Sequence, residues 1–153
     1  MILISHRGNI NGRNPKLENS HKYIIDAIKA GYDVEIDIRE IDGKLFLGHN
    51  KPQYETQINY ELFVTYGDKL WIHCKNIPVL HTLMGYKNFG LNLFFHDRDQ
   101  CVLTSKSYIW TYPGYSLGPL GKENNSICVL PETVDYEEFN CVGICSDVIE
   151  KYK

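Results

Sequence analysis

The chain has 153 residues, of which 43% are hydrophobic and 23% charged, with a net charge of -3. This balance predicts one soluble domain over residues 1–153, with room for a real core. The acidic balance and a sequence pI near 6.0 exclude a basic stripe for nonspecific nucleic-acid binding, but not a small anionic substrate at a local positive site.

Ile2–His6 reads as a first strand, followed by a polar loop from Gly8 to Glu18. Asn19 or Ser20 can cap a helix running to about Ala30, with Ile24, Ala27 and Ile28 on one face and Gly31 as the stop. Val34–Arg39 alternates apolar and polar residues and predicts a second strand. Asp42-Gly43 makes a tight turn, and Lys44–Gly48 returns toward His49. Residues 59–66 predict a short helix, Leu70–Lys75 a strand, and Ile77 to about Tyr86 a helix with Leu80, Leu83 and Met84 inward. Asn92–His96, Tyr108–Tyr112, Ile127–Leu130 and Val142–Ser146 predict further strands, Asp135–Asn140 one helical turn, and Val148–Lys153 a closing helical stub.

Strands that alternate with helices predict an α/β protein with a mostly parallel sheet of about seven to eight strands. No glycine-rich phosphate loop follows the first strand, as an open doubly wound sheet would usually have. Polar residues fall instead at strand ends: His6 and Arg7, Glu35 and Asp37, His73 and Lys75, His96 and Asp97, Glu132, Ser146 and Asp147. That placement predicts a TIM-type (β/α) barrel, contracted because several helices are missing from the C-terminal half. The bare flank is expected to be covered by a second subunit in a homo-oligomer.

Ile2-Leu3-Ile4 is too short for a secretory apolar segment, and no apolar run is long enough to span a bilayer. Five cysteines without an export signal predict reduced thiols in the cytoplasm. Cys141 and Cys145 do not have the spacing of a metal clip and read as core residues.

The chemistry-bearing feature is the pair Glu35 and Asp37, which strand periodicity places on one face between Val34, Ile36 and Ile38. Two adjacent anions call for a proton, a cation or a metal. His6 precedes them and His49 follows, and histidine suits proton transfer near neutral pH.

Ser-His-Arg-Gly (5–8), Glu-Asn-Ser (18–20), Val-Glu-Ile-Asp-Ile (34–38) and Asp-Gly-Lys-Leu-Phe-Leu-Gly-His-Asn (42–50) resemble the core of the glycerophosphodiester phosphodiesterase family, within the phospholipase-C-like phosphodiesterases. Gly-Ile-Cys-Ser-Asp (143–147) resembles the family's last strand more weakly. The resemblance implies a TIM barrel and hydrolysis of a glycerophosphodiester to an alcohol and a phosphomonoester, a reaction of lipid metabolism. It implies His6 and His49 as the catalytic acid–base pair, Arg7 as the phosphate ligand, and Glu35, Asp37 and Glu18 as ligands of Mg²⁺ or Ca²⁺. Lys75 fits the family's strand lysine, toward the substrate phosphate.

Two positions depart from the family. His73 stands where a third metal-binding Glu is expected, which admits Mn²⁺ or another transition metal if His73 is a ligand. Asn50 replaces the Asp that usually follows the second His. Trp110 is a candidate substrate contact. It joins His96, Tyr112 and Glu132 as residues of either the pocket wall or the packing. His21 and His81 lie in helices and read as surface or packing residues. Two alternatives stay open: a lyase or transferase of the same superfamily that releases a cyclic phosphate, and a barrel that binds a phosphorylated ligand without turnover.

Overall fold

A computed structural model describes residues 1–113, 115, 125–134 and 140–153. Ten strands form one curled mixed sheet. They are β1 (Ile2–His6), β2 (Asp33–Ile41), β3 (Lys44–Leu47), β4 (Tyr54–Thr56), β5 (Leu70–Cys74), β6 (Asn92–Phe94), β7 (Cys101–Leu103), β8 (Ile109–Thr111), β9 (Ser126–Val129) and β10 (Gly143–Ser146). Three α-helices accompany them among the described residues: α1 (His21–Lys29), α2 (Glu61–Val64) and α3 (Ile77–Met84).

Parallel strands run in the spatial order β6-β5-β2-β1-β10-β9-β8. Antiparallel β3 and β4 extend β2 on one side, and antiparallel β7 ends the row beside β8. This corrects the expected TIM-type barrel. The architecture is a half-barrel dominated by its sheet, without a regular alternation of strand and helix. The reason is how the chain spends its connections. A parallel neighbour needs a crossover of a dozen or more residues, usually a helix. Asp42 and Gly43, both at positive φ, instead turn β2 straight back as β3. The stretch between β6 and β8 is spent on β7. No ladder joins β6 to β8 among the described residues. Ser105 sits at that gap, its N–H donating to Leu93 O and its Oγ accepting from Leu93 N, both at 2.8 Å.

Strands β4 and β7 were absent from the sequence reading, and the helix expected over 59–66 shrinks to α2. The closing stub is a 3-10 turn over Ile149–Tyr152. The helical turn expected at 135–140 falls almost wholly outside the described residues. No helix among the described residues is long and apolar enough to cross a membrane.

Alternation along the strands sorts the two faces. Val34, Ile36, Ile38, Leu70, Ile72 and Cys74 pack outward against Ile24 and Ala27 of α1, Leu62 and Phe63 of α2, and Val79 and Leu83 of α3. The concave face collects Ile4, Trp71, Phe94, Trp110, Ile127, Val129 and Cys145. Phe94 and Trp110 stack across that concavity with ring centroids 4.7 Å apart. Cys141 and Cys145 are buried, as expected of core residues.

Gly48 ends β3 just before His49, at φ +139, and a Cβ there would lie 2.3 Å from the Lys51 carbonyl oxygen. Both the conformation and the space therefore call for glycine. Gly48→Ala is expected to lower the unfolding free energy by about 1–3 kcal/mol, measured by urea denaturation.

Candidate active site

Parallel neighbours place their C-terminal ends side by side, so β1, β2 and β5 bring His6, Glu35, Asp37 and His73 together. The register pairs His6 with Glu35 and Asp37 with His73. The hairpin from β2 to β3 returns His49 to the same end. Arg39 holds that return, its Nη2 donating to the carbonyls of Gly48 and His49.

Asp37 is the centre of the site and has no solvent exposure. Its Oδ2 lies 2.9 Å from Arg7 Nε and accepts from Asn19 Nδ2 at 3.1 Å. Its Oδ1 lies 3.0 Å from His49 Nδ1, 3.1 Å from His73 Nδ1 and 3.6 Å from Lys75 Nζ. Burial alone would raise the Asp37 pKa. The hydrogen bonds from His49 and His73 and the charge of Arg7 outweigh it and hold the carboxyl well below its usual range. Glu35 is equally buried but poorly partnered. Its Oε2 has no hydrogen bond, and the nearest cationic atom is His6 Nε2 at 3.7 Å. Desolvation, then the adjacent Asp37 charge, push the Glu35 pKa up.

His6 donates Nδ1–H to Asp147 Oδ1 at 2.8 Å, which turns Nε2 toward Glu35 and the cavity. Burial pulls the His6 pKa down, but the Asp147 hydrogen bond and the Glu35 charge outweigh it, and the net shift is upward. Asp147 is itself fixed by Asn9 Nδ2 at 2.7 Å, and its backbone N–H donates to Glu132 Oε1 at 2.8 Å. Arg7 occupies a left-handed backbone conformation, φ 57, and reaches Asp37, Glu18 and His49 Nδ1. Such a conformation is costly for a residue with a side chain and is tolerated where the surroundings hold it.

A cavity of about 180 Å³ opens above this cluster, lined on its polar side by His6, Arg7, Glu35, His49, His73 and His96. Trp110, Val129 and Leu130 contribute the apolar wall. A second lobe of about 440 Å³ shares His49, His73, His96 and Tyr112 with it and adds Lys75 and Asp97. His96 stacks on His73 at 4.4 Å with the rings 1° from parallel. Its pKa is pushed down to about 4, by burial first and then by the neighbouring His73 and Lys75.

The structure thus brings together His6, Arg7, Glu35, Asp37, His49, His73, Lys75 and Trp110. Glu18, expected as a further metal ligand, does not join the carboxylate cluster. It receives Arg7 at 3.4 Å, Arg13 at 3.0 Å and Asn9 at 3.1 Å, which makes it the counter-ion of the arginines. Glu132 supports Asp147 from the rim. His21 hydrogen-bonds Thr56 and takes no part. Sequence reasoning missed the pairing of Asp147 with His6, and Asn19 as the clasp of Asp37, whose backbone N–H also donates to Asn19 Oδ1 at 2.9 Å. The signal for Asn19 was its place in the Glu-Asn-Ser motif.

Glu35, Asp37 and His73 each offer an atom within 4.8 Å of the others, the spacing of a metal cluster. The donor set fits a cation, because Glu35 Oε2 and His73 Nε2 are both buried without a hydrogen-bond partner.

Comparison of the chain with family models, curated proteins and solved structures returns no match.

Proposed function

We propose that this chain is a phosphodiesterase that cleaves a small glycerophosphodiester-like substrate to an alcohol and a phosphomonoester. The observation that carries the reading is two histidines on either side of a buried arginine–carboxylate cluster at the floor of one cavity. The motif resemblance to the glycerophosphodiester phosphodiesterases points the same way.

A phosphodiester repels nucleophiles with its own charge, so cleavage needs positive groups on its oxygens and proton transfer at both ends. Arg7 faces the cavity and supplies fixed positive charge, oriented by Asp37 and Glu18. A divalent cation at the Glu35–Asp37–His73 cluster would add Lewis-acid stabilisation of the phosphoryl oxygens. His49 Nδ1 stands between Asp37 Oδ1 at 3.0 Å and Arg7 Nη2 at 2.8 Å. When Arg7 turns its Nη2 to the substrate phosphate, His49 donates Nδ1–H to Asp37 and its Nε2 lone pair can take the proton of the attacking hydroxyl or water. The Asp147 hydrogen bond and the Glu35 charge raise the His6 pKa against burial and so favour its protonated form, whose Nε2–H can be delivered to the leaving alkoxide. Trp110, Val129 and Leu130 give the alcohol an apolar wall.

Asp147→Asn tests the assignment. Losing the carboxylate leaves burial and Arg7 less opposed, so the His6 pKa falls. With His6 as the acid, the alkaline limb of kcat/KM for bis-p-nitrophenyl phosphate moves down by about one unit or more. An unmoved limb contradicts His6 as the acid, and absence of turnover by the wild-type protein contradicts the function.

A further inference from the structure

The open valences of the cluster are not those of three carboxylates. Asp37 already receives contacts on both oxygens from Arg7, Asn19, His49, His73 and Lys75. Within the Glu35–Asp37–His73 cluster, the buried atoms without a hydrogen-bond partner are Glu35 Oε2 and His73 Nε2, on residues 2% and 7% exposed. His73 hydrogen-bonds through Nδ1 to Asp37 Oδ1 at 3.1 Å. A carboxylate only accepts, so the ring proton sits on Nδ1 and the lone pair on Nε2. A carboxylate holding one nitrogen of an imidazole while the other stays free is how proteins set a histidine to bind a metal. Stacking on His96 at 4.4 Å and on Phe94 at 5.2 Å fixes the plane of the ring.

We propose that this centre is built for a borderline transition-metal ion of the Mn²⁺, Co²⁺ or Zn²⁺ class, held by His73 Nε2 and Glu35 Oε2, with Asp37 orienting His73 instead of ligating. Imidazole suits these ions, whereas Mg²⁺ and Ca²⁺ prefer all-oxygen shells. The remaining coordination positions are left to substrate or water, as an ion that takes part in catalysis requires. Asp37 thereby serves as the counter-ion of Arg7 and Lys75 and as the hydrogen-bond acceptor of His49 and His73. The purpose of the ion rests on the phosphodiesterase reading, but its binding does not, and the test omits substrate so that the two can fail separately.

The full chain, stripped with chelator, is titrated with Co²⁺, Zn²⁺, Mg²⁺ and Ca²⁺ by calorimetry, and Co²⁺ binding is also followed by its visible absorption. Co²⁺ and Zn²⁺ are expected to bind one per chain, at least about 100-fold more tightly than Mg²⁺ or Ca²⁺. His73→Ala should weaken Co²⁺ binding by about 100-fold or more, and His73→Glu should narrow the preference over Mg²⁺. Circular dichroism checks that each variant is folded. X-ray absorption on the Zn²⁺-loaded wild-type protein needs no variant and should show imidazole nitrogen at about 2.0–2.1 Å. An all-oxygen shell, Mg²⁺ binding as tightly as Co²⁺, no Co²⁺ binding, or a folded His73→Ala variant that binds like wild type each overturns the proposal.

Discussion

Replacing Asp37 with Asn is expected to cost about 3–5 kcal/mol of unfolding free energy at neutral pH, while Glu35→Gln costs little or stabilises. The two acids sit two residues apart on β2 with similar burial, yet their surroundings are opposite. Asp37 is the shared partner of Arg7, His49, His73 and Lys75. Its removal strands the Arg7 guanidinium, which is only 8% exposed and keeps Glu18 at 3.4 Å as its remaining close carboxylate. Glu35 has no hydrogen bond on Oε2 and suffers the repulsion of Asp37. A neutral amide there removes a buried charge, and His6 keeps Asp147 at 2.8 Å as its carboxylate partner. The pH dependence follows from the sign of each shift. The folded-state pKa of Asp37 lies below the unfolded value of about 3.9. Its contribution is therefore complete above that value and is lost as pH falls toward the folded pKa. The gap between wild type and Asp37→Asn should narrow in acid. Glu35 is shifted the other way, so its ionisation opposes folding above about pH 4.3. Chemical denaturation of the three proteins from pH 7 to pH 3 measures all of this.

His6→Ala is expected to lower kcat for phosphodiester cleavage by about 10²–10⁴-fold, with KM little changed. The loss falls on kcat because proton delivery to the leaving oxygen matters only in the transition state. His6 is also one end of a chain that runs through Asp147 to Asn9 and Glu132. Asp147→Asn keeps the imidazole and should cost less in kcat than His6→Ala. A His6→Ala variant that retains full kcat would remove the acid from the mechanism.

Much of this site was legible in local sequence. The alternation Val34-Glu35-Ile36-Asp37-Ile38 sends the acids to one face whatever the sheet does at its edges. His6 and His49 lie at the end of β1 and just beyond β3, and Asp42-Gly43 fixes the turn that brings the second back. What local sequence carries poorly is how distant strands meet. The run of polar residues at strand ends looks the same whether the sheet closes or only curls, because parallel neighbours align their C-terminal ends in either case. That is why the barrel was wrong while the residues it was meant to gather still met. The β7 hairpin carries few period-2 cues, with Cys101 and Leu103 both exposed and only Val102 partly buried. The pairing of His6 with Asp147 spans 141 positions, and no spacing rule reaches that far. The saturation of Asp37 was also invisible, since it needs the side chains of α1's leading loop, β5 and the β3 return together.

Glycerophosphocholine mixed with the wild-type chain and a divalent transition metal, followed by phosphorus NMR, should lose its diester resonance and gain a phosphomonoester signal. A transient cyclic-phosphate peak would mean that the glycerol hydroxyl attacks first. The same incubation with His6→Ala and His49→Ala combined should leave the diester intact. A diester that persists with the wild-type protein, or an equal phosphomonoester signal from the double variant, would contradict the assignment of this cavity as a histidine-driven phosphodiesterase site.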